Sequence, residues 1–116
     1  MSAGSPFIQV PPFLGVAAME PALAFYRDLL GFTVHVDYGG YAYVERDRIG
    51  LRLLQLDEGA LNPPGCSHIY IDVRDVEALF AGYAPRLAAL PAERWGAPKT
   101  HAYGQREFWV RDSDGN

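Results

Sequence analysis

Residues 19–37 read MEPALAFYRDLLGFTVHVD, and this stretch predicts a helix that passes directly into a strand. Its apolar residues recur at helical spacing and form one face, made of Ala22, Phe25, Tyr26, Leu29 and Leu30. Pro21 suits the first helical position, where its missing N–H costs nothing. Gly31 suits the cap that ends the helix, and residues 32–37 then form the strand.

The sequence on either side completes one module of βαβββ type. Residues 7–17 are apolar and are interrupted by Pro11 and Pro12, which predicts a strand with a break or at a sheet edge. Residues 41–45 and 49–56 predict two further strands, separated from their neighbours by turns. The first module is therefore expected to span about residues 7–57.

The same order of elements starts again after a proline-containing linker at residues 58–65. Residues 67–73 alternate apolar and polar side chains as a strand does, and Asp75 is a plausible N-cap for a helix with apolar residues at helical spacing. A weak internal repeat supports a second module over residues 66–116. The alternative is that any two βα units look alike at this level. The turn at residues 112–116 leads into no strand, so the last strand of the second module is expected to be missing from this chain.

Bulk composition favours a single soluble domain over residues 1–116. The chain has 116 residues, 49% hydrophobic and 21% charged, with a net charge of −4 and scattered arginines, which argues against a nucleic-acid partner. The single cysteine, Cys66, excludes an internal disulfide. No segment is long and apolar enough for a membrane span, and the N-terminus lacks the regions of a signal peptide. A cytoplasmic protein without a membrane partner is expected.

Two motifs at the right separation resemble the glyoxalase-like (vicinal oxygen chelate) superfamily, closest to its bleomycin-resistance-like branch. Residues 24–32, AFYRDLLGF, are similar to its first-helix signature, and residues 104–116, GQREFWVRDSDGN, resemble the ending typical of bleomycin-resistance proteins. The resemblance implies an α+β fold in which two βαβββ modules form a curved mixed sheet around a concave cleft, with the helices on the convex side. It also implies a homodimer whose subunits form the cleft together.

The resemblance further implies which side chains point into the cleft, and the alternation of polar and apolar residues supports that division. The predicted ligand-binding residues are Tyr41, Tyr43, Arg52, His68, Tyr70, Asp72, Trp95, Trp109 and Arg111. Glu107 is expected on the same side, whereas Ala42, Val44, Ile69, Ile71, Phe108 and Val110 are expected to face the helices. Trp95 and Tyr103 are placed on a long loop between residues 91 and 104.

Metal-dependent members of the superfamily place one His or Glu ligand on each of four strands. Here the corresponding positions fall on Pro11, on Arg52, on His68 and on the strand that this chain lacks. Since one candidate ligand does not make a site, no metal and no cofactor are expected. His35 and His101 are interpreted as surface residues.

The predicted function is a metal-free protein that sequesters a small aromatic or glycopeptide-like ligand of the antibiotic type. The aromatic cleft supports stacking on a flat ligand. Equally, the same aromatic residues could fill a cavity or a dimer interface. The alternative function is a metal-dependent lyase, isomerase or extradiol-type dioxygenase of the same superfamily, or a metal-free variant of such an enzyme, because one fold hosts many chemistries. A third alternative is a fused or accessory domain with no ligand.

Overall fold

The computed structural model describes residues 4–57, 59–60 and 62–116. The first module contains β1 (Phe13–Val16), α1 (Met19–Leu23) with a π-helical continuation (Ala24–Leu29), β2 (Thr33–Asp37), β3 (Tyr41–Arg46) and β4 (Ile49–Gln55). The second contains α2 (Val76–Leu87), a 3-10 turn (Ala92–Arg94), β5 (Trp95–Thr100) and β6 (Arg106–Val110). No helix within the described ranges has the length and apolar character needed to cross a bilayer.

The first module forms a mixed four-stranded sheet in the order β1-β4-β3-β2. β1 runs parallel to β4, and the other neighbours are antiparallel. Side chains alternate along the strands, so that Ala42, Val44, Leu51 and Leu53 are buried beneath the helix. The opposite, concave face carries the polar and aromatic residues of the same strands. This confirms the predicted α+β fold with a curved mixed sheet.

The second module is a β5–β6 hairpin covered on one face by α2. Asp75 caps α2, since its Oδ1 accepts a hydrogen bond of 3.1 Å from the backbone N–H of Ala78. Phe108 of β6 packs against Phe80 of α2 at a ring separation of 5.3 Å. The helix-facing side of this hairpin is therefore fixed by aromatic contacts.

Residues 67–73 do not form the predicted strand. They are unpaired, and Ile69, Ile71 and Val73 are 37%, 40% and 42% exposed instead of facing a helix. In the first module the equivalent strand, β1, is held by β4. Among the described residues, no strand of the second module corresponds to β4, so residues 67–73 have no neighbouring strand there for a hydrogen-bond ladder.

Three other boundaries differ from the sequence prediction. Only Phe13–Val16 of the predicted strand at residues 7–17 pairs, because the two prolines before it cannot donate to a ladder. α1 begins at Met19, so that Pro21 is its third residue. The expected long loop at residues 91–104 contains β5, whose Gly96 and Pro98 have low strand propensity and concealed it.

Candidate ligand-binding faces

The concave face of the first module is built around Tyr43. This residue lies in β3 directly opposite Arg52 of β4, and both project away from the helix-covered side. A Cβ atom built at Gly50 would collide with the Tyr43 hydroxyl, so glycine at this position allows the phenol ring to lie across the sheet. The strand pairing and the glycine together hold the ring in one place.

A polar cluster of Gln9, His35, Tyr43 and Glu45 surrounds this ring. The Tyr43 hydroxyl donates to Oε2 of Glu45 at 3.2 Å and accepts from Nε2 of Gln9 at 3.1 Å. Nε2 of His35 lies 3.4 Å from Oε1 of the same glutamate. Both oxygens of the Glu45 carboxylate are thus already engaged by neighbouring side chains.

Arg52 differs from this cluster because none of the described carboxylates lies within 4.0 Å of its guanidinium. Its guanidinium carbon lies 5.3 Å from the centre of the Phe13 ring, which in turn lies 6.3 Å from the Tyr41 ring. Its Nε atom is buried and makes no hydrogen bond within the part of the chain that the structure describes. A buried nitrogen without an acceptor is costly, so the hydrogen-bonding capacity of the Arg52 side chain is not fully used inside the protein.

The concave face of the second module repeats this arrangement with Trp109. A Cβ atom at Gly96 would collide with the indole nitrogen, so the indole lies across that glycine and is 44% exposed. The guanidinium carbon of Arg111 lies 4.9 Å from the centre of the indole ring. Trp109 and Arg111 were both predicted to lie on this face, and the structure brings them together.

A second carboxylate cluster accompanies Trp109. Oε1 of Glu107 accepts a hydrogen bond from Tyr103 and lies 3.2 Å from Nε2 of His101. The rings of His101 and Tyr103 are stacked with centres 5.1 Å apart. The hydrogen bond to Glu107 raises the pKa of Tyr103 to about 12, because ionisation would place two negative charges side by side.

Sequence reasoning missed Phe13, His35 and His101 as members of these faces. His35 and His101 were interpreted as surface residues, and the structure leaves His35 exposed and His101 half-buried, each beside a glutamate. The strand pairing supplies the missing signal, since side chains on neighbouring strands are brought together whatever their sequence distance.

Trp95 does not lie with the other predicted residues. Its ring is 6.0 Å from Phe80 of α2, and its register partner is Val110, which packs on the core. Trp95 therefore belongs to the helix-facing side of β5. The expected loop is wrong at this position, because Trp95 begins β5, and the assignment of Trp95 to a ligand site stays a prediction.

His68, Tyr70 and Asp72 lie in the unpaired segment at residues 67–73 and are exposed. Tyr70 lines a shallow cavity of about 210 Å³ between this segment and residues 9–12 and 48–51. Among the described residues, none of these three side chains forms a hydrogen bond with Tyr43 or with Trp109. Their assignment to a ligand site stays a prediction.

The side chains present do not fit the metal site found in metal-dependent relatives. Within the described ranges, no group of three or more His, Cys, Asp or Glu residues is arranged to hold a metal ion. The concave face of β4 presents the guanidinium of Arg52, which repels a cation. His68 is exposed on the unpaired segment.

Comparisons with known proteins agree with this architecture. The sequence profile of the Glyoxalase/Bleomycin resistance protein/Dioxygenase superfamily matches residues 9–116. No curated protein sequence matches the chain significantly.

Several solved structures are similar to the fold. The bleomycin-binding protein from bleomycin-producing Streptomyces verticillus, complexed with copper(II)-bleomycin, has a TM-score of 0.80 and 25% identity, covering 95% of this chain and 91% of that chain. TnmS3, an antibiotic binding protein from a Streptomyces species, has a TM-score of 0.72 and 24% identity, covering 96% and 92%. A lactoylglutathione lyase from Agrobacterium tumefaciens has a TM-score of 0.65 and 19% identity, covering 97% and 91%.

Proposed function

Because this chain belongs to the glyoxalase/bleomycin resistance protein/dioxygenase superfamily, we propose that it binds a small antibiotic-type molecule without a metal and acts by sequestration. The observation that carries this proposal is the placement of Trp109. Its indole lies open on the concave face, supported by Gly96 and flanked by Arg111. A large aromatic ring held flat and exposed offers a planar ligand a ready stacking surface.

The first module supports the same proposal. Tyr43 lies across Gly50 in the way that Trp109 lies across Gly96, so each sheet presents one aromatic ring over one glycine. Phe13 and Tyr41 extend this aromatic surface on the first sheet. The similar bleomycin-binding protein from Streptomyces verticillus is named for an antibiotic ligand, which supports a glycopeptide-like or aromatic molecule here.

We further propose that the protein works as a homodimer whose subunits share the cleft. Phe7, Ile8 and Val10 are 89%, 92% and 91% exposed, and Ile69 and Ile71 of the unpaired segment are also exposed. Apolar side chains exposed in such a group favour burial against another surface, and a second copy of the chain is the simplest partner. We also propose that it acts in the cytoplasm, a reducing compartment in which the free and exposed thiol of Cys66 would persist.

The alternative of a metal-dependent lyase, isomerase or dioxygenase has less support. The similar lactoylglutathione lyase shares the fold at 19% identity. However, the donor side chains that such chemistry needs are replaced at the concave face by Arg52 and its aromatic neighbours. The function is therefore derived from the aromatic faces and not from the fold alone.

Titration calorimetry tests the proposal against the alternative. We expect a panel of bleomycin-type glycopeptides and planar antibiotics to contain a molecule that binds the wild-type protein, and Trp109→Ala to weaken that binding about tenfold or more. Phe80→Leu is the matched control, because Phe80 of α2 packs on the side of the hairpin that faces away from the proposed ligand site. This variant should leave the affinity unchanged. Zinc- or nickel-dependent turnover of a glutathione hemithioacetal, with no binding of any antibiotic, would contradict the proposal.

A further inference from the structure

The polar groups on the two concave faces are not equally satisfied. Both glutamates already have partners: Glu45 is engaged by Tyr43 and His35, and Glu107 by Tyr103 and His101. Much of the hydrogen-bonding capacity of each carboxylate is therefore used by side chains of the protein itself. A cationic group of a ligand would have to compete with these contacts.

The two arginines on the same faces, Arg52 and Arg111, differ from the glutamates in their polar partners. Neither Arg52 nor Arg111 has a carboxylate within 4.0 Å among the described residues, whereas Arg27 and Arg106 do. Nε of Arg52 is the one buried side-chain nitrogen or oxygen without a hydrogen-bond partner in the described ranges. The side chain of Arg111 makes one hydrogen bond to the described residues, at 3.4 Å from Nη1 to the backbone oxygen of Glu93.

Each of these arginines is also stacked on an exposed ring. Arg52 lies over Phe13 and Arg111 over Trp109, at 5.3 Å and 4.9 Å from the ring centres. A guanidinium that lies over a ring can still donate hydrogen bonds from its terminal amino groups. Such a planar fork matches the two oxygens of a carboxylate or of a phosphate group.

We propose that Arg52 and Arg111 are anion-binding residues, and that the ligand carries a carboxylate, phosphate or sulfate group attached to an aromatic ring. The ring would stack on the aromatic surface beside each arginine, and the anionic group would reach the guanidinium edge. This inference rests on the proposed small-molecule-binding function and specifies the chemical class of its ligand.

Calorimetry tests the inference with three probes of matched shape, naphthalene-2-carboxylate, naphthalene-2-methanol and 2-naphthylmethylammonium, and with acetate, which has the charge without the ring. We expect the carboxylate to bind about tenfold more tightly than the alcohol, since hydrogen bonds to charged groups contribute that much discrimination. The ammonium and acetate should bind more weakly than both. Arg52→Gln should remove most of the preference for the carboxylate over the alcohol.

Two comparisons support the assignment to a specific side chain. Arg52→Lys keeps the charge and should retain part of the preference, while Arg74→Gln removes an exposed arginine outside both faces and should retain all of it. Arg111→Gln provides an independent variant at an exposed position, should Arg52→Gln fail to fold.

The outcomes separate this inference from the function on which it rests. If the alcohol or the ammonium binds as tightly as the carboxylate, the anion site is overturned while small-molecule binding stands. Equal binding of acetate and naphthalene-2-carboxylate would show that the aromatic ring does not contribute to binding, and would overturn the proposal that the ligand carries such a ring. If bleomycin-type molecules bind and no naphthalene probe does, the inference falls alone. If nothing in either panel binds, both fall together.

Discussion

The hydroxyl of Tyr26 donates a 2.8 Å hydrogen bond to Oδ2 of Asp112, which lies 86 residues further along the chain. Asp112 is 2% exposed, and its Oδ1 also accepts hydrogen bonds from the backbone N–H groups of residues 114–116. The first helix is thereby tied to the turn that follows β6. We expect Tyr26→Phe to lower the free energy of unfolding by about 1–3 kcal/mol, because it leaves a buried carboxylate without one partner. Urea denaturation measures this, and an unchanged midpoint would contradict it.

The same contact predicts a loss of stability in alkaline solution. Burial, followed by the charge of Asp112, raises the pKa of the Tyr26 hydroxyl well above its ordinary value of 10.0. Since the folded protein holds this proton more tightly than the unfolded chain, the stabilisation is complete below pH 10.0 and declines above it. The slope for one such group is about 1.4 kcal/mol per pH unit.

Urea midpoints measured between about pH 8 and about pH 11 test this dependence. Tyr26→Phe should flatten the alkaline decline. Tyr38→Phe is the matched control, because Tyr38 is 81% exposed, and it should retain the slope of the wild-type protein. Equal slopes in the wild type and in Tyr26→Phe would show that the tyrosine is not buried in this contact.

Adjacent residues on β6 should respond in opposite ways to truncation. Phe108 packs against Phe80 and Tyr83 but is partly exposed, so Phe108→Ala should cost roughly 2–3 kcal/mol of stability, below the cost of a fully buried ring. Trp109→Ala should leave stability nearly unchanged and weaken ligand binding. Denaturation and calorimetry on both variants check this, and the reverse pattern would show that the two faces of β6 are inverted.

Glycine is needed beneath each aromatic ring. Gly96→Ala places a Cβ atom against the indole of Trp109, so it should displace the ring and weaken ligand binding while the hairpin remains folded. Gly82→Ala is the control, because nothing lies within 4 Å of its Cβ position, and in a helix it should stabilise the protein by about 0.5–1 kcal/mol. Unchanged affinity in Gly96→Ala would show that the indole position is not required.

Much of the first module follows from sequence because its signals are local. The alternation of residues 41–45 places Tyr43 on one face of the sheet and Ala42 and Val44 on the other. The same alternation places the side chains of Phe108 and Trp109 on different faces of β6. The second module is less predictable. The side on which Trp95 lies depends on a register shift between Gly96 and Lys99, and the pairing of residues 67–73 depends on a neighbouring strand.

The polar contacts of the site are the least predictable part. His35 meets Glu45 only because β2 pairs with β3, and Tyr26 meets Asp112 only because the modules pack together. Tyr26 is predicted to be buried from its helical spacing, but nothing in the spacing of His35 or Asp112 distinguishes them from solvated surface residues. Long-range contacts of this kind depend on topology, which periodicity does not encode.

The assembly can be tested through the exposed apolar residues near the N-terminus. Light scattering should give twice the mass of one chain for the wild-type protein. Ile8→Asp should shift the equilibrium toward the monomer, because Ile8 is 92% exposed in the single chain and a charge there resists burial. Tyr38→Ser, at an exposed turn, should remain dimeric. A wild-type monomer at all concentrations would contradict the shared cleft.

Fluorescence from single-tryptophan variants tests the central claim most directly, because the two tryptophans lie on opposite sides of the β5–β6 hairpin. Trp95→Phe leaves Trp109 as the only indole, and Trp109→Phe leaves only Trp95, which packs near Phe80. Titration with the ligand found by calorimetry should quench or shift the emission of Trp95→Phe strongly, with saturation at the calorimetric affinity. The emission of Trp109→Phe should change little. A response confined to Trp109→Phe, or no response in Trp95→Phe despite saturated binding, would contradict a ligand site on the concave face.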